Sequence, residues 1–133
     1  MKSRNITLAL TSIVSLLFFM SFSSAIDVSS CGELNIDGGQ YILNSDITTT
    51  ETCITITADN IILDGRGYNI DGDDGVGDYG ITASGRLNIT LKNLNITDFG
   101  MGINFKGTNQ SLLLNNSVIS NIDGIFLSSS SSN

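Results

Sequence analysis

A glycine followed by an isoleucine recurs at a fixed interval, and this repeat constrains the fold more than any other feature of the chain. The recurring segments are Gly80-Ile81-Thr82, Gly102-Ile103-Asn104 and Gly124-Ile125-Phe126, which follow one another at steps of 22 residues. A constant step of this length is typical of solenoids, in which each repeat is one turn of a stacked coil. Because side chains alternate along a strand, the three isoleucines are predicted to stack inside, with the next residue of each segment outside. Inward side chains are expected again two residues after each isoleucine, at Ala83, Phe105 and Leu127.

A second column of alternating apolar residues lies at 60–65, 88–93 and 111–116. Alternation with a period of two is typical of a half-buried strand. It predicts two interior files, one of Ile61, Ile89 and Leu112 and the other of Leu63, Leu91 and Leu114. A third file at the turn is expected to contain Gly65, Asn93 and Asn116, where stacked amides can hydrogen-bond between coils.

A shorter third column consists of Ile70, Ile96 and Ile119. Three strands in a coil of about 22 residues predict an all-β fold, a right-handed parallel β-helix of about three to four coils. Helix is disfavoured because apolar residues are spaced by two and because the chain contains 14 glycines. Unequal steps in the second column place insertions in the turns, and the longest insertion covers residues 71–78.

The first 25 residues have the pattern of a secretory signal peptide. Lys2 and Arg4 precede an apolar stretch at 6–22, and small residues lead up to Ala25, after which we expect cleavage. An uncleaved anchor and a core helix are the alternatives. The rest is expected to comprise a capping segment with the first strands (26–52), β-helix coils (53–127) and a Ser-rich end (128–133). We expect the β-helix to be incomplete at this end, as in a fragment; a natural linker is the alternative interpretation of the serine run.

Removal of the signal peptide would leave four basic and thirteen acidic residues, a net charge of 4 − 13 = −9. Nucleic acid is a poor partner for such a surface, and no membrane span is expected after cleavage. Cys31 and Cys53 are the only cysteines, and an even number behind an export signal favours a disulfide over two buried thiols. The predicted location is therefore secreted or at the cell surface.

Several motifs, spread over nearly all of the mature chain, are similar to those of archaeal-type secreted β-helix proteins. They are Cys31-Gly32-Glu33-Leu34, Cys53-Ile54-Thr55-Ile56, residues 58–68, residues 91–97 and Asp123-Gly124-Ile125. These proteins belong to the carbohydrate-binding and sugar-hydrolase repeat group, which includes the periplasmic copper-maturation β-helix family. The resemblance implies the fold but no single activity, since the group contains adhesins, binding modules, lyases and hydrolases.

Carboxylates in the longest turn are the main candidates for chemistry. Asp73 and Asp74 are adjacent, but a glycine-rich turn holds a catalytic pair poorly, and the histidine of the related hydrolases is absent; no catalytic residue is expected. Calcium is the candidate metal, because Asp71, Asp73, Asp74 and Asp78 offer oxygen ligands, although their spacing differs from that of an EF-hand. Copper is disfavoured, since the mature chain offers only Met101 and two cysteines as ligands.

Four Asn-X-Ser/Thr sequons are candidate glycosylation sites, at Asn88, Asn95, Asn109 and Asn115, and Asn109 is the best placed. The preferred functional hypothesis is a non-catalytic extracellular module that binds polysaccharide or envelope proteins. One alternative is the N-terminal part of a polysaccharide lyase or hydrolase whose catalytic coils lie beyond the C-terminus. The other is a structural spacer of the cell envelope.

Overall fold

The computed structural model describes residues 24–133, so the predicted signal peptide lies almost entirely outside the described residues. From residue 24 onward the chain forms only strands, turns and bends. No helix in this described part is long and apolar enough to cross a membrane.

Fourteen short strands make up the described part of the chain. They are β1 (Ile26–Val28), β2 (Gly32–Leu34), β3 (Gln40–Leu43), β4 (Ile47–Thr48), β5 (Ile54–Ile56), β6 (Ile62–Asp64), β7 (Asn69–Asp71), β8 (Tyr79–Ser84), β9 (Thr90–Lys92), β10 (Asn95–Thr97), β11 (Met101–Lys106), β12 (Leu112–Leu114), β13 (Ser117–Ile119) and β14 (Asp123–Ser128).

The strands form three parallel sheets. The first sheet has the order β1-β3-β6-β9-β12, the second β4-β7-β10-β13 and the third β2-β5-β8-β11-β14. From β3 onward each coil supplies one strand to the first, second and third sheet in turn, so the chain makes about four turns. This confirms the predicted all-β solenoid with stacked parallel strands.

The register predicted from the Gly-Ile repeat is confirmed in the third sheet. Ile103 of β11 lies opposite Ile81 of β8 and Ile125 of β14, and Phe105 lies opposite Ala83 and Leu127. The side chains of β8 and β11 in these files are buried. Ile125 and Leu127 are 48% and 47% exposed, because no described coil covers β14.

In the first and second sheets, the register predicted for the strand of the last coil is wrong by one residue. Leu113, and neither Leu112 nor Leu114, lies opposite Leu91, and Val118 rather than Ile119 lies opposite Ile96. The outward positions Leu112, Leu114 and Ile119 are therefore exposed. Alternation misled the prediction because apolar residues occupy both faces of this coil. The corrected step from Leu91 to Leu113 is again 22 residues.

The amide file at the turn shifts with the register. Asn115, not Asn116, stacks on Asn93, and its Nδ2 donates a hydrogen bond of 2.8 Å to Asn93 Oδ1. Asn116 bonds to the backbone of the preceding coil, where its Oδ1 accepts from the Leu94 N–H at 3.1 Å and its Nδ2 donates to the Leu91 carbonyl at 2.9 Å. Stacked amides thus join the coils as predicted, but one residue earlier in the last coil.

Close approach between coils explains the repeated glycine. A Cβ atom added at Gly102 would overlap Cγ1 of Val118 and would lie 2.8 Å from the Gly124 carbonyl oxygen. A Cβ at Gly80 would lie 2.6 Å from the Gly102 carbonyl oxygen. Larger residues at these two positions would push neighbouring strands apart.

Two further features join successive coils. The predicted disulfide between Cys31 and Cys53 is present, and it connects the segments that lead into β2 and β5. Residues 128–133 pack as part of a coil: the Thr108 N–H donates to Ser130 Oγ at 3.1 Å, and the Ser111 N–H donates to Asn133 Oδ1 at 2.9 Å.

Candidate functional site: a polar cleft beside the second sheet

The turn between the first and second sheets is longer after β6 than in the next two coils. Seven positions separate Leu63 from Ile70, whereas five separate Leu91 from Ile96. The two additional residues produce a bulge that is exposed at 66–68 and in which Arg66 has a φ of 51°. Left-handed backbone is uncommon for arginine, and the hydrogen bond of 3.0 Å from its N–H to Asp64 Oδ1 stabilises it here.

The bulge borders a polar cleft of about 490 Å³ at the corner between the first two sheets. Three successive coils contribute the lining residues, which are amides, a hydroxyl, glycine and one guanidinium: Arg66, Gly67, Asn93, Asn95, Asn115, Asn116 and Ser117. No carboxylate lines the cleft. Its chemistry is that of a surface that exchanges hydrogen bonds with a polar ligand.

Hydrogen bonds between coils fix the orientation of these amides. Asn93 Nδ2 donates to Asp64 Oδ1 at 3.0 Å, and Asn95 Nδ2 donates to the Gly67 carbonyl at 2.8 Å. Asn115 donates to Asn93 in the same way, so each of these three amides donates one N–H to the preceding coil. The Oδ1 atoms of Asn95 and Asn115 have no hydrogen-bond donor among residues 24–133, so both remain acceptors for a ligand.

Asn115, Asn93 and Asp64 form a ladder of side-chain hydrogen bonds between coils, and Asp64 is its last acceptor at the edge of the cleft. Partial burial raises the pKa of Asp64, but hydrogen bonds from Asn93, from the Arg66 N–H and from Lys92 outweigh this effect, and the net pKa lies below the ordinary value. Lys92 Nζ lies 3.2 Å from Asp64 Oδ2. Asp64 is therefore ionised at neutral pH, and both of its oxygens are occupied.

A second cleft continues along the outer face of the second sheet. It has a volume of about 290 Å³ and is lined by Asp46, Ile47, Thr48, Asn69, Asp71 and Thr97. Asn95, which lines the first cleft, lies opposite Asn69 of β7, and Thr97 lies opposite Asp71. Four strands at a spacing of about 4.8 Å give this face, which is polar except at the exposed Ile119 of β13, a width of about 14 Å across the strands.

Three carboxylates of the acidic turn each accept one hydrogen bond, and Asp78 Oδ2 is buried without a partner among the described residues. Asp71 Oδ1 accepts from Thr97 Oγ1 at 2.6 Å, Asp73 Oδ1 accepts from the Gly75 N–H at 3.2 Å, and Asp78 Oδ1 accepts from the Gly100 N–H at 2.8 Å. Within residues 24–133, no group of three or more Asp, Glu, Cys or His side chains is arranged to hold a metal ion. Calcium binding by Asp71, Asp73, Asp74 and Asp78 stays a prediction without structural support.

Sequence reasoning missed Asp98, which comes close to this turn from the next coil. Loss of hydration raises the pKa of Asp98, and the charges of Asp74 and Asp71 and a hydrogen bond to Asp71 raise it further. The register could have revealed this contact, because Ile96 lies opposite Ile70 and so places Thr97 opposite Asp71.

The four sequons differ in what their amides contact. Asn88 and Asn115 are exposed, and Asn88 Nδ2 donates to Asn60 Oδ1 at 2.9 Å in a second ladder. Asn95 and Asn109 are half-buried, and Asn109 Oδ1 accepts from the Ser131 N–H at 2.9 Å. Of the four sequon asparagines, only Asn109 has an Nδ2 without a hydrogen-bond partner among residues 24–133. Glycosylation stays a prediction at all four positions.

No protein-family model, curated protein or solved structure matches the chain. The structure alone therefore establishes the parallel β-solenoid, and the resemblance to the archaeal-type secreted proteins remains a prediction.

Proposed function

We propose that the protein is a non-catalytic extracellular module that binds polysaccharide along the outer face of the second sheet. The observation that carries the proposal is the polar cleft, where Asn95 and Asn115 present acceptors whose orientation is fixed by bonds to the preceding coil. Sugar hydroxyl groups donate and accept hydrogen bonds, and groups held in place by the fold bind them at a lower entropic cost.

Two further observations support this proposal. The disulfide between Cys31 and Cys53 favours an oxidising environment outside the cytoplasm. The resemblance to the carbohydrate-binding and sugar-hydrolase repeat group points to the same class of ligand. The net charge of −9 predicted for the mature chain argues against nucleic acid as an alternative polymer.

Filling the cleft tests the proposal. Ser117 lines the cleft from β13, so Ser117→Trp should obstruct it, whereas Asn104→Trp places the same bulk on the outer face of the third sheet. In a glycan array followed by calorimetry with the mature chain, we expect Ser117→Trp to weaken binding at least about tenfold, or 1.4 kcal/mol. Asn104→Trp should bind as the wild type does. No bound polysaccharide, or equal losses in both variants, would contradict the proposal.

A further inference from the structure

We propose that the cleft selects sugar units that carry a carboxylate, with the Arg66 guanidinium as the group that recognises it. This inference rests on the proposed polysaccharide binding and adds the chemical class of the ligand.

The four basic side chains of the described residues differ in whether a carboxylate neutralises them. The described residues contain thirteen acidic and four basic residues, and Arg66 and Lys106 are the two basic side chains among them that form no ion pair. Arg86 lies 3.7 Å from a carboxylate oxygen of Asp59, and Lys92 lies 3.2 Å from one of Asp64. Among residues 24–133, Arg66 makes neither an ion pair nor a side-chain hydrogen bond, although it is exposed at the cleft.

The carboxylate nearest to Arg66 in the sequence is not available to its guanidinium. Asp64 is two residues away, but its Oδ1 accepts from the Arg66 N–H and from Asn93 Nδ2, and its Oδ2 is paired with Lys92. Both oxygens of Asp64 are therefore occupied, and this carboxylate does not pair with the Arg66 guanidinium. Arg66 is left with its donors directed to solvent or to a ligand.

The two clefts beside the second sheet differ in the charge of their lining residues. Asp46 and Asp71 line the second cleft, which would repel an anion, whereas the cleft at Arg66 has no carboxylate in its lining. A planar guanidinium binds a carboxylate through two parallel N–H donors. Next to it, Asn95 Oδ1, Asn115 Oδ1 and Ser117 Oγ can bond to the hydroxyl groups of the same sugar unit. A ligand with a carboxylate and hydroxyl groups therefore matches this cleft.

The test compares two ligands that differ only in the carboxylate. Calorimetry with the mature chain would measure binding of oligogalacturonate and of its methyl ester, with dextran sulfate and dextran as probes for a sulfate ester. We expect the free acid to bind at least about tenfold more tightly than the ester. Arg66→Gln should abolish this preference, and Arg66→Lys should restore part of it, because lysine keeps the charge without the planar fork.

Lys106→Gln is the matched control, because it removes the same charge from an exposed position on the third sheet. It should leave the preference for the acid within about twofold, and thermal melts should show that all variants fold. Equal effects of Arg66→Gln and Lys106→Gln would overturn the inference, because they would indicate general electrostatic attraction. Preference for the sulfated polymer alone would also overturn it.

The outcomes separate this inference from the proposed function. Equal binding of acid and ester, unchanged by Arg66→Gln, would refute carboxylate selection while polysaccharide binding stands. Absence of binding to every polymer would refute both.

Discussion

Two successive coils, β9–β11 and β12–β14, have the same length but different stacking chemistry. In the first coil, Leu94 and Phe99 occupy the corners between sheets and are fully buried. The equivalent residues one coil later are Asn116 and Asn121, whose side-chain amides bond to the backbone of the first coil. Asn121 Oδ1 accepts from the Phe99 N–H at 3.0 Å, and its Nδ2 donates to the Ile96 carbonyl at 3.1 Å.

On the outer faces the difference in polarity is reversed, because several positions are polar in the first coil and apolar in the second. At four outward positions a polar residue of the first coil is paired with an apolar residue of the second: Thr90 with Leu112, Lys92 with Leu114, Thr97 with Ile119 and Asn104 with Phe126. A constant repeat length is therefore compatible with apolar packing at the corners in one coil and with amide bonds in the next. The period specifies the register, and the side chains decide how each coil is stabilised.

The largest expected effect is the difference in stability loss when a charge is placed in the interior of each of the two coils. Ile103 is fully buried, so Ile103→Asp would bury a charge without a partner and should destabilise the protein by more than about 4 kcal/mol. Ile125→Asp, at the half-exposed equivalent position, should cost less than about 1.5 kcal/mol. Urea unfolding followed by circular dichroism measures both. Similar losses in the two variants would show that the coils are equally buried in solution.

Substitutions at the corners between sheets should give the next largest difference in stability loss between the two coils. Phe99→Ala removes a buried ring and should cost about 3–5 kcal/mol. Asn121→Ala leaves the Phe99 N–H and the Ile96 carbonyl without their partner and should cost about 1–3 kcal/mol. The same unfolding experiment compares them, with Asn104→Ala as a surface control. A loss at Asn121 that matches the control would mean that amide bonds do not hold the last coil.

The close approach at the glycines predicts a smaller contrast. Gly102→Ala would place a methyl group against Val118 and should cost about 1–3 kcal/mol through overpacking. At Gly124 the nearest atom to an added Cβ is the Val118 carbonyl oxygen at 3.6 Å, which is an ordinary contact, so Gly124→Ala should change stability by less than about 0.5 kcal/mol. Thermal melts of the two single variants measure this difference in stability. Equal tolerance of alanine would contradict the close stacking at Gly102.

The fold was predictable where one face of a strand is clearly apolar. The step from Gly80 to Gly102 predicted the third sheet correctly, since Thr82 and Asn104 mark its outer face. The prediction failed at residues 112–119, where Leu112 and Leu114 are apolar on the outside, and alternation cannot then distinguish a strand from the same strand shifted by one residue.

The cleft was less accessible to sequence reasoning, because its parts lie on three coils. Asn93 was predicted to stack at a turn, but the sequence does not reveal that two additional residues expose Arg66 beside Asn95. That juxtaposition depends on turn length and register together. A correct register in the last coil would have placed Asn115 rather than Asn116 in the ladder. The predicted alignment of Ile96 with Ile70 was already correct, and it implied that Asp98 lies close to Asp71.

The smallest expected effect concerns charge at matching turns of the two coils. Asp98 and Ser120 occupy equivalent left-handed positions with φ values of 61° and 59°, but only Asp98 faces the carboxylates of Asp71 and Asp74. Because the folded state raises the pKa of Asp98, ionisation of this group opposes folding. This unfavourable contribution is absent below the unfolded pKa of about 3.9 and develops fully above the folded pKa. Asp98→Asn should therefore raise the melting temperature slightly at pH 7 and leave it unchanged at about pH 3.

Ser120→Asn, which changes no charge, should show no such difference between the two pH values. A pH-independent gain in Asp98→Asn would indicate that the asparagine acts through backbone preference for the left-handed region rather than by relieving repulsion.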